Sequence, residues 1–216
     1  MLLRLPSKLT PTGLRALVPE SGQVYGVPNR AAARDHHPQP LERPDPKALL
    51  RGTAMHTLLR RADLSRCGGE DEVLEQADRL VLQGDLSAQE RALVWPGPIV
   101  AFARSPLGKR AQAAPKVLRE YEFSVLLDAA ELLQDGPAGE DILLNGAIDL
   151  LLFEADGLTV VDFKTDRVRS REELARRAQH YRTQLETYSR ALERVMEKPV
   201  TRSVLYFLHV GETVEL

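Results

Sequence analysis

Three side chains in one stretch carry the most chemistry per residue: Asp149, Asp162 and Lys164. They lie in two strand-like runs, 142–153 (ILLNGAIDLLLF) and 158–164 (LTVVDFK), joined by Glu154-Ala155-Asp156-Gly157, a hairpin signal. If the loop takes all four of those residues, Asp149 faces Asp162; if only Asp156-Gly157, Asp149 sits diagonal to Asp162 and opposite Lys164. Side chains alternate with period two along a strand, so either register puts all three groups on one face. Opposite Cβ atoms then lie about 5 Å apart and diagonal ones about 7–8 Å. Two carboxylates facing each other amid Ile148, Leu150, Val161 and Phe163 repel unless positive charge sits between them. Lys164 supplies one charge, and a divalent cation suited to hard oxygen ligands, Mg²⁺ or Mn²⁺, supplies the rest. The competing reading is a solvated Asp–Lys cluster on a sheet face.

The elements that must hold these groups are legible on both sides. Asn145-Gly146 upstream and Asp166-Arg167 downstream keep the polar groups at strand ends, where sites are usually built. Another strand-like run covers 117–127, and a last one covers 202–210. Between them a long helix is expected from about 171 to 197, opened by a Ser170/Glu173 capping box and followed by Pro199. A basic run, Arg167, Arg169, Arg171, Arg176 and Arg177, leads into that helix and could carry a phosphate backbone, or form a solvated helix face. The front of the chain is helical: Leu50, Ala54, Leu58 and Ala62 recur at helical spacing after Pro46, with further helices expected at 70–83 and 87–103, the latter broken by Trp95-Pro96-Gly97-Pro98. Residues 1–46 hold eight prolines and read as an extended arm with one short helix near Thr12–Val18, leaving 47–216 as the domain. The expected class is α/β, a mixed sheet flanked by helices with a largely helical N-terminal half.

Bulk properties narrow the classes. The chain has 216 residues, 43% apolar and 28% charged, with a formal net charge of −2. That is a globular composition whose total charge does not announce a nucleic-acid binder, so any such binding needs a local basic groove. One cysteine, Cys67, excludes a disulfide, a four-thiolate zinc site or an iron–sulfur cluster built within this chain. No apolar run approaches the roughly 20 residues that cross a bilayer, and the start does not read as a signal peptide, so a cytoplasmic protein is expected. No G-x-x-x-x-G-K-[ST] loop occurs, hence no ATP site is expected; Pro106-Leu107-Gly108-Lys109-Arg110 lacks the first glycine and the hydroxyl residue.

Six segments in order, SKLTPTGLRAL (7–17), RGTAMHTLL (51–59), LREYEFSVLL (118–127), NGAIDLLLFEADGLTVVDFKTD (145–166), YRTQLETYSRALE (181–193) and LYFL (205–208), resemble the PD-(D/E)XK nuclease superfamily. The likeness is to its RecB-type branch, and to nuclease domains of the AddA type that follow a helicase motor. G-x-x-D, D-F-K-T-D and Q-x-x-x-Y together make it specific. The resemblance implies a restriction-endonuclease-like fold and metal-dependent hydrolysis of DNA. Asp149 and Asp162 become metal ligands, Lys164 the catalytic lysine, and His56 a further ligand reaching in from a helix. Glu120 matches the acidic residue on the first strand, although Glu122 shares its parity. Gln184 and Tyr188 match the Q-x-x-x-Y element, with a role in positioning DNA or the lysine; core packing competes for Tyr188 and is the better reading of Tyr181. His36, His37, His180 and His209 read as structural. The implied partners are DNA, in particular single-stranded ends, the helicase region of a longer parent chain, and a second subunit of a helicase–nuclease that serves double-strand-break repair and recombination. The alternatives are a stand-alone RecB-like exonuclease and an inactive DNA-binding or assembly module.

Overall fold

The computed structural model describes residues 8–9, 45–132 and 139–216. A mixed sheet is built from β1 (Lys8–Leu9), β2 (Lys116–Asp128), β3 (Asp141–Glu154), β4 (Gly157–Lys164), β5 (Val200–Phe207) and β6 (Glu212–Glu215). The helices are α1 (Pro46–Arg61), α2 (Glu70–Gln83), α3 (Ala88–Arg91), α4 (Pro96–Arg104), α5 (Pro106–Ala113), α6 (Ala129–Leu132) and α7 (Arg171–Met196). The expected α/β class therefore holds, as does the helical front half. The helix expected near Thr12–Val18 lies outside the described residues. Lys8–Leu9, within the stretch read as an arm, pair in parallel with Leu143–Leu144 of β3.

Two apolar layers sandwich the sheet. On one face Leu150, Leu152, Val161, Phe163, Val204 and Tyr206 pack against α1, α2, α4 and α5. Phe102 of α4 meets Phe163 and Tyr206 edge-on, each with centroids 4.9 Å apart, the geometry that ring quadrupoles favour. On the other face Leu151, Leu158, Val160, Leu205 and Phe207 pack against the apolar stripe of α7, including Leu185, Tyr188 and Leu192. Such a three-layer arrangement explains why β4 reads as a nearly unbroken apolar run, since both its faces are covered.

Local signals account for most boundaries. Asp45 caps α1 by accepting from the Lys47 N–H at 3.0 Å, with Pro46 pre-set at the first helical position. Ser170 accepts from the Glu173 N–H at 3.2 Å, but the Glu173 carboxylate reaches the N–H of Arg169 rather than that of Ser170, so the expected capping box is displaced by one residue. The region 87–103 divides into α3 and α4 at Trp95-Pro96. The next helix, α5, was not expected: Pro106 opens it and Ser105 caps it through the Gly108 N–H. The strand expected over 202–210 is β5, which ends at Phe207, and β6 returns antiparallel beside it.

The hairpin takes the first of the two registers, with Leu150↔Val161 and Leu151↔Val160, and pairing continues through Glu154↔Gly157. The turn is thus only Ala155-Asp156, and Gly157 at φ +140° accepts a conformation that L side chains avoid. β3 and β4 part company beyond Leu150↔Val161, and Asp162–Lys164 pair instead with Leu205–Phe207 of β5. The candidate site sits where those strands diverge.

Candidate active site

Regular alternation would send Asp149 to the same face as Leu151, under α7. β2 and β3 instead change faces together at this level. On β2, Val117 packs with the front helices and Leu118 with α7, yet beyond Glu120 it is Tyr121, Phe123 and Leu127 that pack with α7. On β3, Leu144 and Ile148 lie on the α7 side, whereas Leu150 and Leu152 lie on the other. The switch centres on Glu120, at φ +46° in the left-handed region, flanked by the pairs Arg119↔Leu150 and Tyr121↔Ile148 that bracket Asp149. A non-glycine residue held there needs surrounding structure to fix it. Arg60 of α1 provides that through an ion pair with the Glu120 carboxylate.

The switch brings Asp149 between layers, within reach of both. Its Oδ1 lies 3.1 Å from Nδ1 of His56, nearly three turns into α1. Its Oδ2 accepts from the Phe163 N–H at 2.7 Å, taking the place of a ladder carbonyl where β3 leaves β4. Asp162 and Lys164, two residues apart on β4, share the α7 side, with Lys164 Nζ 2.6 Å from Asp162 Oδ2. That contact is an ion pair by distance, but its angle leaves Oδ2 buried without an aligned hydrogen-bond donor. Burial pushes the Asp162 carboxyl above its ordinary range; Lys164 opposes the shift and Asp149 adds to it. For His56, burial pulls downward, but the hydrogen bond and charge of Asp149, with Asp162 behind it, outweigh that and leave the ring above its ordinary value.

Among the described residues, no three His, Cys, Asp or Glu side chains converge tightly enough to hold an ion as they stand. The donor set nonetheless fits a divalent cation. Asp162 Oδ2 is a buried carboxylate oxygen lacking an aligned donor, Asp149 adds a second carboxylate, and His56 adds a nitrogen engaged only by that carboxylate among its described hydrogen bonds. Oxygen-rich sets of this kind suit Mg²⁺ or Mn²⁺.

Glu120 and His56 line a cleft of about 420 Å³ together with Ala48, Leu49, Gly52, Thr53, Thr57 and Thr165. Gly52 is what lets α1 approach Thr165, since a Cβ there would stand 3.2 Å from Thr165 Oγ1. Glu122, the alternative to Glu120, is exposed and paired with Ala147; the change of face at Glu120 removes the parity that linked the two.

On α7, Tyr188 is a core ring, 3% exposed, meeting Phe123 edge-on at 5.2 Å. Both rings close over Gly146, where a Cβ would fall 2.6 Å from Phe123 and 2.8 Å from Tyr188. Gln184 is half-buried on the same helical face. Tyr181, which sequence reading favoured as packing, does more than pack: Lys164 Nζ lies 3.8 Å from its ring centroid, and its hydroxyl donates to Asp166 Oδ2 at 3.0 Å. Its i,i+3 relation to Gln184 was the available signal. Of the basic run, Arg177 pairs with Asp166 and Glu173, while Arg167, Arg169, Arg171 and Arg176 are exposed. A further arginine that sequence reading missed, Arg119, donates to the carbonyls of Leu59, Arg60 and Ala62, closing the C-terminus of α1. Burial lowers its pKa.

Comparison with known proteins places the chain. It is 35% identical over 174 residues to an ATP-dependent helicase/nuclease subunit of Bacillus cereus (strain Q1), an alignment covering 77% of this chain and 14% of the relative. The corresponding helicase/nuclease proteins of Bacillus mycoides (strain KBAB4) and Bacillus cytotoxicus match at 34% and 33% over the same shares. The chain thus spans about a seventh of the length of the curated relatives it matches. The sequence profile of the PD-(D/E)XK nuclease superfamily matches residues 28–215, and the chain belongs to that superfamily.

Proposed function

We propose that this domain hydrolyses phosphodiester bonds in DNA with the help of a divalent metal ion, Mg²⁺ or Mn²⁺, acting as an exonuclease on single-stranded ends. The carrying observation is the buried Asp162 carboxylate, held above its ordinary pKa beside Asp149, with Lys164 at 2.6 Å. Asp149, Asp162 and His56 would hold the ion, His56 exchanging its contact with Asp149 for the metal. Such an ion supplies Lewis acidity and lowers the pKa of a bound water. Lys164, held between Asp162 and the Tyr181 ring, would stabilise negative charge as it grows on a phosphoryl oxygen. Glu120, fixed by Arg60, borders the cleft and orients groups entering it from the α1 side. Gln184 and Tyr188 stiffen the α7 wall behind the lysine.

The relatives' names, helicase/nuclease subunit, support a setting in which a helicase feeds this domain with a second protein of the same complex beside it; the role we propose for that assembly is repair of double-strand breaks and recombination. The chemistry assigned here uses neither ATP nor an iron–sulfur cluster. Incubation with end-labelled single- and double-stranded DNA, with and without Mg²⁺, tests the reading. Wild-type protein should shorten single strands from an end only with the ion present, and Asp162→Ala should lose at least about 10³-fold in rate. Cleavage by Asp162→Ala at the wild-type rate would remove the proposal.

A further inference from the structure

One surface beside the site is used by none of these steps. Trp95, the only tryptophan of the chain, stands just before α4 and remains 37% exposed. His209, two residues past the end of β5, meets it with ring centroids 5.5 Å apart at an interplanar angle of 52°. The Arg51 guanidinium lies 5.7 Å from the Trp95 ring centroid. The platform is firmly mounted: the Trp95 N–H approaches Met55 Sδ at 3.3 Å, and Met55 follows Arg51 by one turn of α1. His209 Nδ1 is enclosed with no hydrogen-bond partner, and Val210 next to it is 39% exposed.

Two connections put this surface at the mouth of the candidate site. Arg51 immediately precedes Gly52, which lines the cleft with His56 and Glu120 and touches Thr165. Strands β4 and β5 run in parallel with Lys164↔Phe207, and the Leu208 N–H donates to the Lys164 carbonyl at 2.9 Å, so the chain leaves neighbouring strands through Thr165 and His209 at the same end of the sheet. An aromatic ring, an imidazole and a guanidinium from three separate elements thus converge beside residues that line the cleft. A polyanion with flat apolar bases matches both features, because every base has a face to stack and every linkage has a charge for Arg51.

We propose that Trp95, His209 and Arg51 form a stacking platform for one or two unpaired bases of the DNA strand that the site cleaves. It gives the domain a preference for single strands, since paired bases offer no free face, and it is indifferent to sequence. The inference rests on the proposed action on DNA, but binding tests it separately from hydrolysis.

With a sole tryptophan, emission reports on the platform alone. A fluorescein-labelled oligo(dT) is titrated into the whole chain in EDTA, where no cleavage occurs, and anisotropy and Trp95 emission are followed together. A second oligonucleotide has the same phosphates but abasic residues. The expected result is quenching with the same midpoint as the anisotropy rise, and at least about tenfold tighter binding of oligo(dT) than of the abasic strand. That advantage should disappear in Trp95→Ala and shrink in His209→Ala, with circular dichroism showing that both variants fold; should Trp95→Ala not fold, the wild-type quenching and base preference carry the test. Unchanged emission while oligo(dT) binds, or equal affinity for the abasic strand, overturns the platform. If neither strand binds, the platform is likewise overturned, while the labelled-DNA cleavage assay still decides hydrolysis by itself.

Discussion

Lys164 is held by two different forces, the Asp162 carboxylate at 2.6 Å and the Tyr181 ring at 3.8 Å. The ring's contribution is worth about 0.5–2 kcal/mol, enough to alter how often the ammonium points into the site. Tyr181→Leu should therefore lower kcat about tenfold with KM little changed, whereas Tyr181→Phe, which keeps the ring and loses the bond to Asp166, should stay within about threefold of wild type. Equal losses in the two variants would show that the hydroxyl, not the ring, matters. Asp162 lies on the other side of that balance. Its carboxylate is buried and held above its ordinary pKa, so its ionised form opposes folding when no ion is bound. In EDTA at neutral pH, Asp162→Asn should raise stability, read as a higher midpoint in urea. A lower midpoint would mean that the pairing with Lys164 outweighs burial.

Among the elements, α1 and the β2–β3 pair decide whether His56 meets Asp149. Arg119 donates to three carbonyls at the end of α1, and hydrogen bonds from a charged group contribute about 1.5–3 kcal/mol. Arg119→Met should cost roughly that much in stability and loosen His56, weakening Mn²⁺ binding although residue 119 touches no ligand. Gly146→Ala tests the other side of the site: the added methyl must displace Phe123 or Tyr188, an overpacking cost of about 1–3 kcal/mol. The hairpin has an acid-sensitive fastening, since Arg110, with help from Thr159, holds the Glu154 carboxyl below its ordinary range. The native state then binds that proton less readily than the unfolded chain, so the fastening contributes above the ordinary glutamate range and is lost as pH falls through the depressed value. Glu154→Gln should flatten the acid limb of a stability-against-pH curve.

These elements also mark how far sequence reading reaches. The strands around Asp149 and Asp162 and the long helix α7 were legible because their apolar patterns repeat at the period of their own structure. The register was legible only to within two choices, because a hairpin turn limits them, and the pairing Leu150↔Val161 decides between the two. The change of face at Glu120 was not legible: strict alternation assumes a regular strand, and nothing local in LREYE announces a left-handed residue. Tyr181 does pack against the core, as read, but its second role was hidden for a related reason. An aromatic ring on an apolar helical stripe reads as core, and only tertiary structure reveals a lysine lying over it. Helix α5 was overlooked because Pro106 and Gly108 resemble loop punctuation, although proline at a first helical position is favourable.

For the molecule as a whole, the layers divide the work. The front helices contribute His56, the cleft and Arg51, while α7 contributes the support of Lys164, and the sheet carries both carboxylates to the line where its strands diverge. No helix among the described residues is long and apolar enough to cross a membrane. Charge near neutrality, −2 in total, leaves attraction of a polyanion to local groups such as the exposed Arg167, Arg169, Arg171 and Arg176. Replacing the first three together by glutamine should weaken single-strand binding and reduce the slope of its salt dependence by about two units.

Calorimetric titration with Mn²⁺ of the wild-type chain beside Asp149→Ala and Asp162→Asn tests the shared-cation site most directly. Saturable binding by the wild type, lost in both variants while their circular dichroism stays native, is the predicted result. Ion binding of equal strength in all three proteins, or none in the wild type at millimolar Mn²⁺, would contradict it.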